Sequence, residues 1–328
     1  MTGQPPATAY YPGVNLAGAE FSGTGAVLGR NYVYPNQSEF QYFLGKGMKI
    51  VRIPFKWERL QPDLNGDFDT ANLSELDRSV TQATRLGLVV LLDVHNYGGR
   101  PDPARIKKGL LVGIDPELPI DCFNDLWIKL ADHFKDNSMV WFGLMNEPHK
   151  HSAQLNAEIM QAAVKAIRAT GALNKILVPG TRFTGAHTWI QSGNAEAFNK
   201  FRDPANNFAF EVHQYLDKDS SGTHVQATPG SGSTRLAAFT QWAKQHSFKG
   251  FLGEFGWDRN PENVQAQKEG DNLLDYMDAN KDVWIGYTYW AAGSWWTPTY
   301  IYLLEPEGLK VGTPLDRVQM TVISKHLN

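Results

Sequence analysis

The 328-residue sequence contains a single cysteine, Cys122, so no disulfide can form within the chain. A single free cysteine usually behaves as a small buried hydrophobic residue, so we expect Cys122 to pack in the core. No stretch reaches the roughly 18 consecutive apolar residues that a membrane-spanning helix needs. The sequence therefore predicts neither a disulfide scaffold nor a membrane protein.

Neither sign of charge dominates. The 31 Lys and Arg residues and the 34 Asp and Glu residues are mixed along the chain and leave a net charge of −3. A chain without a basic surface is not expected to bind nucleic acid or an anionic membrane, so the partner is predicted to be neutral. The first 13 residues lack the basic and apolar segments of a secretory signal peptide. Two explanations stay open: a cytosolic protein, or a secreted protein whose signal peptide has been removed.

Short apolar segments predict eight strands. They are continuously apolar rather than alternating, which is typical of strands covered on both faces. They lie near residues 13–16, 49–54, 88–94, 139–145, 175–179, 208–213, 249–254 and 283–290. Segments with helical periodicity lie between them, at residues 72–87, 121–137, 152–171, 234–246, 262–279 and 315–326.

Strands that alternate with helices along the whole chain predict an α/β fold, a (β/α)8 TIM barrel, as a single domain over residues 1–328. An open doubly wound sheet fits less well, because no glycine-rich phosphate-binding loop follows any strand. The Gly-, Ser- and Thr-rich residues 217–235 are predicted to form a long loop after the sixth strand. In such a barrel the active site lies at the C-terminal ends of the strands.

Polar and aromatic residues stand where the predicted strands end. They are Arg52, His95, Asn96, Asn146, Glu147, His213, Tyr215, Glu254 and Trp290. Because these strand ends converge on one cavity, Glu147 and Glu254 are expected to meet there. Two carboxylates in a cleft suit glycoside hydrolysis, in which one protonates the leaving oxygen and the other attacks the sugar or activates water. A separation of about 5–5.5 Å would indicate retention, and one of about 6.5–9.5 Å inversion.

The same residues resemble glycoside hydrolase family 5. The pattern consists of Arg52, His95, Asn146, Glu147, His213, Tyr215, Glu254 and Trp290. The stretches "VNLAGAEF", "VHQYLDKDSSGTH", "FLGEFG" and "YWAAGSWW" resemble its endo-β-1,4-glucanase branch. The resemblance implies a barrel with catalytic glutamates on strands four and seven, and a mechanism that retains the anomeric configuration.

The resemblance also implies a role for each residue. Glu147 would act as general acid and then as base, and Glu254 as the nucleophile. The charge of Arg52 would hold Glu254 ionised, and Tyr215 would donate a hydrogen bond to the same carboxylate. Asn146 would bind the sugar 2-hydroxyl group.

Four further residues are predicted to contact the sugar or to orient the glutamates. His95 and His213 would do one or the other, and the choice stays open. Trp290 would offer a flat apolar face to the sugar that is cleaved, and Asn96 would contact substrate beside it. Asp93 is predicted to hydrogen-bond to a site residue rather than to take part in catalysis.

Four more tryptophans are predicted substrate contacts, with core packing as an equally good explanation for each. Trp57 follows the second strand, and Trp295 and Trp296 follow Trp290 at the floor or edge of the cleft. Trp189 follows the fifth strand and resembles a position where the family binds the leaving-side glucose. Core positions are predicted for Trp127, Trp242 and Trp284.

A zinc site built from histidines was weighed against this interpretation. His149 and His151 lie close together, and His95 and His213 stand at strand ends, but no HExxH motif occurs and His149 follows a proline in a loop. We therefore predict no metal and no cofactor.

The sequence predicts a monomeric, secreted, retaining endo-β-1,4-glucanase that acts on β-glucan polysaccharides or oligosaccharides. Secretion is favoured because an enzyme that attacks a polymer works outside the cell. Three alternatives stay open. They are a β-mannanase, xyloglucanase or β-1,3-glucanase of the same family, a non-catalytic carbohydrate-binding barrel, and a metal-dependent barrel hydrolase.

Overall fold

The computed structural model describes residues 9–23, 25–102, 104 and 109–327. Eight parallel strands close into a barrel, and each strand pairs with the neighbours that precede and follow it in the chain. They are β1 (Tyr11–Leu16), β2 (Ile50–Phe55), β3 (Val89–Val94), β4 (Val140–Gly143), β5 (Ile176–Pro179), β6 (Phe208–His213), β7 (Gly250–Glu254) and β8 (Trp284–Ala292). Pairing of β1 with β8 completes the circle. The predicted barrel is confirmed. The first eight residues, part of the segment considered as a signal peptide, lie outside the described residues.

Helices surround the barrel. The longer ones are α1 (Gln37–Gly45), α2 (Thr70–Arg85), α3 (Ile120–Phe134), α4 (Ala153–Ala169), α5 (Ala237–His246) and α6 (Val264–Asp278), and α7 (Gln319–Ile323) is shorter. Brief helical turns are Trp57–Leu60, Arg182–Thr184, Ala186–Thr188, Asn194–Ala197, Ser231–Thr234, Leu309–Val311 and Ser324–His326. An antiparallel pair, Gly99–Arg100 with Leu110–Leu111, lies after β3.

The predicted helices are confirmed to within a few residues, except the last, which is a short helix followed by a single turn. The helix α1 was not predicted. Only brief helical turns lie between β5 and β6, whereas each of the strands β1–β4, β6 and β7 is followed by one of the longer helices.

Amphipathic spacing explains how the helices dock. In α3 the buried side chains recur every three or four residues, and its polar face points to solvent. Asp69 and Ser152 cap α2 and α4 by accepting backbone N–H groups. The free thiol of Cys122 is buried on α3, as predicted. Trp127, Trp242 and Trp284 are buried too, which confirms their core positions.

The barrel interior changes from apolar to charged along the strands. A separate cluster that includes Tyr11, Ile50, Leu91 and Trp141 fills its N-terminal end. Residues two positions apart on a strand face the same way, so Arg52 follows Ile50 into the interior nearer the C-terminal end. The strands thus deliver charged groups to one mouth of the barrel. None of the described helices combines the length and apolar character needed to cross a membrane.

Candidate active site

Arg52 is the centre of a buried ionic network at the C-terminal mouth. Its Nη1 lies 3.0 Å from Glu254 Oε1 and 3.1 Å from Asp93 Oδ2, and its Nε lies 3.0 Å from Glu211 Oε1. Its Nη2 donates to Asn146 Oδ1 at 2.8 Å. A guanidinium with no exposed surface is stable only when it is paired in this way. Its contacts fix three carboxylates and an amide at the mouth.

Glu254 ends β7 and is almost fully buried. Tyr215 Oη donates to its Oε2 at 2.8 Å, which confirms the predicted hydrogen bond. Burial raises the pKa of Glu254 to about 7, against the opposing effects of His213, Arg52 and the Tyr215 hydrogen bond. The expected pairing with Arg52 is present, but its effect on the pKa of Glu254 is smaller than the opposite effect of burial.

Glu147 lies just past β4, with a left-handed backbone (φ 44°), and its side chain is 16% exposed. His213 connects it to Glu254, because Nδ1 of His213 is 2.8 Å from Glu147 Oε1 and 3.6 Å from Glu254 Oε2. Burial lowers the pKa of His213, but Glu254, Glu147 and Glu211 outweigh it and raise that pKa to about 10. One oxygen of Glu147 and one of Glu254 lie within 4.8 Å of each other. The two glutamates therefore meet across a protonated imidazole.

His95 occupies the other side of the mouth. Its Nδ1 lies 2.7 Å from Asp93 Oδ2, and its Nε2 lies 3.2 Å from Tyr97 Oη and 3.4 Å from Asn146 Nδ2. Burial, with the nearby charges of Lys56 and Arg52, lowers the pKa of His95 well below its usual range. The ring of Trp290 stacks on this neutral imidazole, with centroids 5.4 Å apart and planes 13° apart.

Two members of the network were missed in the sequence. Glu211 precedes His213 by two residues on β6, so the period of the strand points both into the barrel. Asn15 on β1 accepts from Arg52 Nη1 at 2.9 Å and donates to the carbonyl of Gly253, beside the nucleophile candidate, at 2.9 Å. Both could have been identified in the sequence by taking every second residue of β1 and β6 as facing the barrel interior.

Comparison with known proteins decides the family. Residues 8–293 match the family model described as Cellulase (glycosyl hydrolase family 5). The chain belongs to glycosyl hydrolase family 5. The resemblance drawn from the sequence is confirmed, and so is the prediction that the protein is a glycoside hydrolase.

Relatives of this family 5 enzyme are similar over nearly its whole length. A probable endo-beta-1,4-glucanase B of Aspergillus oryzae is 38% identical over 299 residues, which are 90% of this chain and 84% of the relative. XacCel5A, solved in complex with cellopentaose, is 44% identical with a TM-score of 0.89 over 97% of this chain and 99% of its own. Pseudomonas stutzeri endoglucanase Cel5A, solved with cellobiose, is 32% identical with a TM-score of 0.85 over 99% and 95%.

Two of the predicted substrate tryptophans of this family 5 enzyme lie in the core. Trp57 has no exposed surface, packs on Phe123, and donates its indole N–H to Gln61 at 2.9 Å. Trp189 is equally buried, among aromatic rings from β6 and α5. Their prediction as sugar platforms is wrong, because neither ring has a face open to the cleft.

The remaining predicted contacts stay predictions. Trp290, near the end of β8, and Trp295 and Trp296, just past it, are each partly exposed. Asn96 accepts from the backbone of Trp57 at 2.8 Å and donates to Glu58 at 2.7 Å. Its amide therefore braces the loops after β2 and β3.

A groove of about 520 Å³ opens beside Glu147, between the loops that follow β5 and β6. Phe183 lines it with 51% of its surface exposed, and its ring stacks on His149 with centroids 4.5 Å apart. Arg182, Phe183 and Thr184 all have positive φ angles, a conformation that costs energy in non-glycine residues. Phe183, and not Trp189, is therefore the exposed aromatic ring in the loop after β5. Its place four residues past the end of β5 was the available signal.

Proposed function

We propose that this chain is a secreted, monomeric, retaining endo-β-1,4-glucanase in which Glu254 is the nucleophile and Glu147 the acid and base. The observation that carries the proposal is the approach of Glu147 and Glu254 to within 4.8 Å at the mouth of an open groove. Inverting enzymes hold their carboxyl groups about 6.5–9.5 Å apart to admit a water, so this spacing favours direct attack. Relatives named endo-beta-1,4-glucanase support the substrate class.

In the first step the ionised Glu254 attacks the anomeric carbon, and the glycosidic carbon–oxygen bond breaks. Glu147 gives its proton to the departing oxygen, so the leaving sugar departs as an alcohol and an ester links the remaining sugar to Glu254. In the second step the ionised Glu147 takes a proton from water. The resulting hydroxide-like oxygen attacks the same carbon, and Glu254 leaves as a carboxylate. Two displacements on opposite faces restore the original configuration.

The buried charges stabilise the nucleophile, and Glu147 changes its role between the two steps. Before attack, Arg52, protonated His213 and the Tyr215 hydroxyl all stabilise an ionised Glu254. Formation of the ester removes that negative charge, while His213 keeps its position 2.8 Å from Glu147. The Glu147 carboxylate, which gave its proton to the leaving oxygen in the first step, is the form that deprotonates water.

Asn146 is oriented for the sugar 2-hydroxyl group. Its oxygen accepts from Arg52 at 2.8 Å, so the amide cannot rotate freely and its N–H₂ group faces the His95 side of the mouth. A donor held in this way binds the 2-hydroxyl more strongly as the ring flattens towards an oxocarbenium ion. Phe183 in the groove offers a stacking face on the leaving side, next to the acid Glu147.

A metal-dependent mechanism is disfavoured by the chemistry of the donors. Glu147, His213 and Glu254 place one potential ligand atom each within 4.8 Å of one another. Metal binding requires a neutral imidazole. The surrounding carboxylates raise the pKa of His213 to about 10, so its imidazole is protonated at neutral pH.

The deciding experiment is proton NMR of cellopentaose directly after addition of enzyme. We expect the new reducing ends to appear first as the β-anomer. Early α-anomer would overturn retention and the nucleophilic role of Glu254. Binding without cleavage would indicate a carbohydrate-binding barrel. If mannan, xyloglucan or β-1,3-glucan oligosaccharides are cleaved in place of cellopentaose, the enzyme is another β-glycanase of the family.

Substitution of the nucleophile gives a second test. Glu254→Ala is expected to abolish turnover while the protein stays folded, and Glu158→Ala, an exposed position on α4, serves as the matched control. Wild-type turnover in the Glu254 variant would refute the assignment.

A further inference from the structure

The backbone just past β8 is held by two buried carboxylates. The strand ends at Ala292, so the next amides have no partner within the barrel sheet. The N–H of Gly293 donates to Glu305 Oε2 at 3.1 Å, and the N–H of Ser294 donates to Glu39 Oε1 at 3.0 Å. Lys310 Nζ donates to the carbonyl of Ser294 at 2.9 Å. Two consecutive residues are thus held from both sides.

These carboxylates come from distant parts of the chain. Glu39 lies in the first turn of α1, where its Oε2 also accepts the backbone N–H of Asn36 at 2.9 Å, and it is 2% exposed. Glu305 is 9% exposed. No side chain of Lys or Arg donates to either carboxylate among the hydrogen bonds of the described residues. Because buried carboxylates are costly without partners, their contacts with Gly293 and Ser294 are a specific feature of the fold.

The held segment connects Trp290, near the end of β8, to Trp296 and Tyr300, and these three rings form what we call the aromatic wall. Trp296 lies edge-on to Trp290, with centroids 6.3 Å apart, and stacks on Tyr300 at 3.9 Å. The backbone N–H of Trp296 donates to the carbonyl of Gly293 at 3.2 Å. Gly293 has φ 135°, and a Cβ there would lie 2.1 Å from the carbonyl oxygen of Ala17. A shift of this backbone would therefore move Trp296 relative to Trp290.

We propose that Glu39 and Glu305 are positioning residues of the substrate site, which hold Gly293 and Ser294 and so fix the aromatic wall on which the glucan chain stacks. This inference rests on the proposed function for its substrate. It assigns these two glutamates no contact with the reacting atoms, so their loss acts on binding rather than on bond cleavage.

The pair also makes the wall sensitive to alkaline pH. Burial and the charge of Glu39 raise the pKa of Glu305 to about 8, and burial raises the pKa of Glu39. The ionisable groups that act on the pair are Lys310, Arg317, Arg78 and Tyr42. Below about pH 8, Glu305 is protonated and does not repel Glu39. Above about pH 8, both buried carboxylates are charged, and their repulsion is expected to loosen the segment that contains Gly293 and Ser294.

The test separates binding from catalysis. Glu305→Ala removes the acceptor of the Gly293 N–H, and Glu39→Ala removes the acceptor of the Ser294 and Asn36 N–H groups. In each variant we expect KM for cellopentaose to rise roughly ten-fold with kcat changed less than about two-fold. Glu305→Gln keeps an acceptor without the charge, so it is expected to show the wild-type KM at pH 6 and to lose the rise in KM that the wild type shows above pH 8. Glu158→Ala on α4 is the matched control.

Amide hydrogen exchange of residues 290–298, followed by mass spectrometry, provides a readout that needs no substrate. We expect faster exchange in both alanine variants and unchanged exchange in Glu305→Gln and the control. Wild-type KM with wild-type exchange in the alanine variants would overturn the proposal, and so would a fall in kcat at constant KM. If an alanine variant does not fold, Glu305→Gln still provides a test. A rise in KM above pH 8 that persists in this variant would refute the proposal that ionisation of Glu305 loosens the segment. A wild-type enzyme that leaves cellopentaose intact refutes the proposed function instead, and the exchange result then decides the positioning role alone.

Discussion

Removal of one hydroxyl group, in Tyr215→Phe, tests the electrostatics of the candidate nucleophile. Tyr215 Oη donates to Glu254 Oε2 at 2.8 Å, and its ring stacks on Tyr302, a contact that phenylalanine keeps. A hydrogen bond to a charged group contributes about 1.5–3 kcal/mol, and a ten-fold change in an acid dissociation constant corresponds to about 1.4 kcal/mol. Because this bond favours the ionised carboxylate, its loss is expected to raise the pKa of Glu254 by about one to two.

The assay is kcat/KM against pH for an aryl β-cellobioside with an acidic phenol as leaving group. Such a substrate needs little help from the general acid, so the acid limb of the profile reports the ionisation of Glu254. With the pKa of Glu254 at about 7, the wild-type rate is expected to rise until about pH 7. In the variant the acid limb of the profile is expected to move to higher pH. For each pH unit of this shift, kcat/KM at a fixed pH on the acid side falls about ten-fold. Tyr32→Phe removes a comparable 2.8 Å hydrogen bond, to Asn72, away from the mouth and is the control.

A limb that stays in place, or moves to lower pH, would refute this reasoning. It would mean that the hydroxyl does not stabilise the ionised form, or that Glu254 is not the group whose ionisation limits the rate.

Three further substitutions test the rest of the site. Glu147→Ala is expected to slow cellopentaose far more than the activated aryl cellobioside, and equal slowing of both would argue against a general acid. Phe183→Ala removes the exposed ring in the groove and is expected to lower kcat/KM for cellopentaose about five-fold, equivalent to about 1 kcal/mol of stacking, whereas an unchanged value would exclude it as a platform. Trp189→Phe is expected to lower the free energy of unfolding by about 1–3 kcal/mol in a denaturant titration and to leave KM unchanged, and a raised KM at unchanged stability would contradict its core position.

Local patterns in the sequence were enough to predict the barrel and its mouth. Each strand and most helices are set by the spacing of apolar residues within one segment, and parallel strands connected by helices leave their C-terminal ends at one face. Residues such as Arg52, Glu147 and Glu254 could therefore be assigned to one cavity before any distance was known. Asp93 was likewise predicted as a hydrogen-bonding partner, and it lies 2.7 Å from His95.

Other features depend on which distant segments pack together. Trp189 and Phe183 both follow β5, and only the rings of β6 and α5 decide that Trp189 is covered while Phe183 faces the groove. The pKa of Glu254 depends on how far burial outweighs the cations around it, which no local pattern encodes. Glu39 and the amide of Ser294 are 255 positions apart in the chain. The sequence by itself determined which groups arrive at the mouth, because the periodicity of each element is local. The tertiary structure decided their exposure, spacing and ionisation, because burial and charge are sums over neighbours from the whole chain.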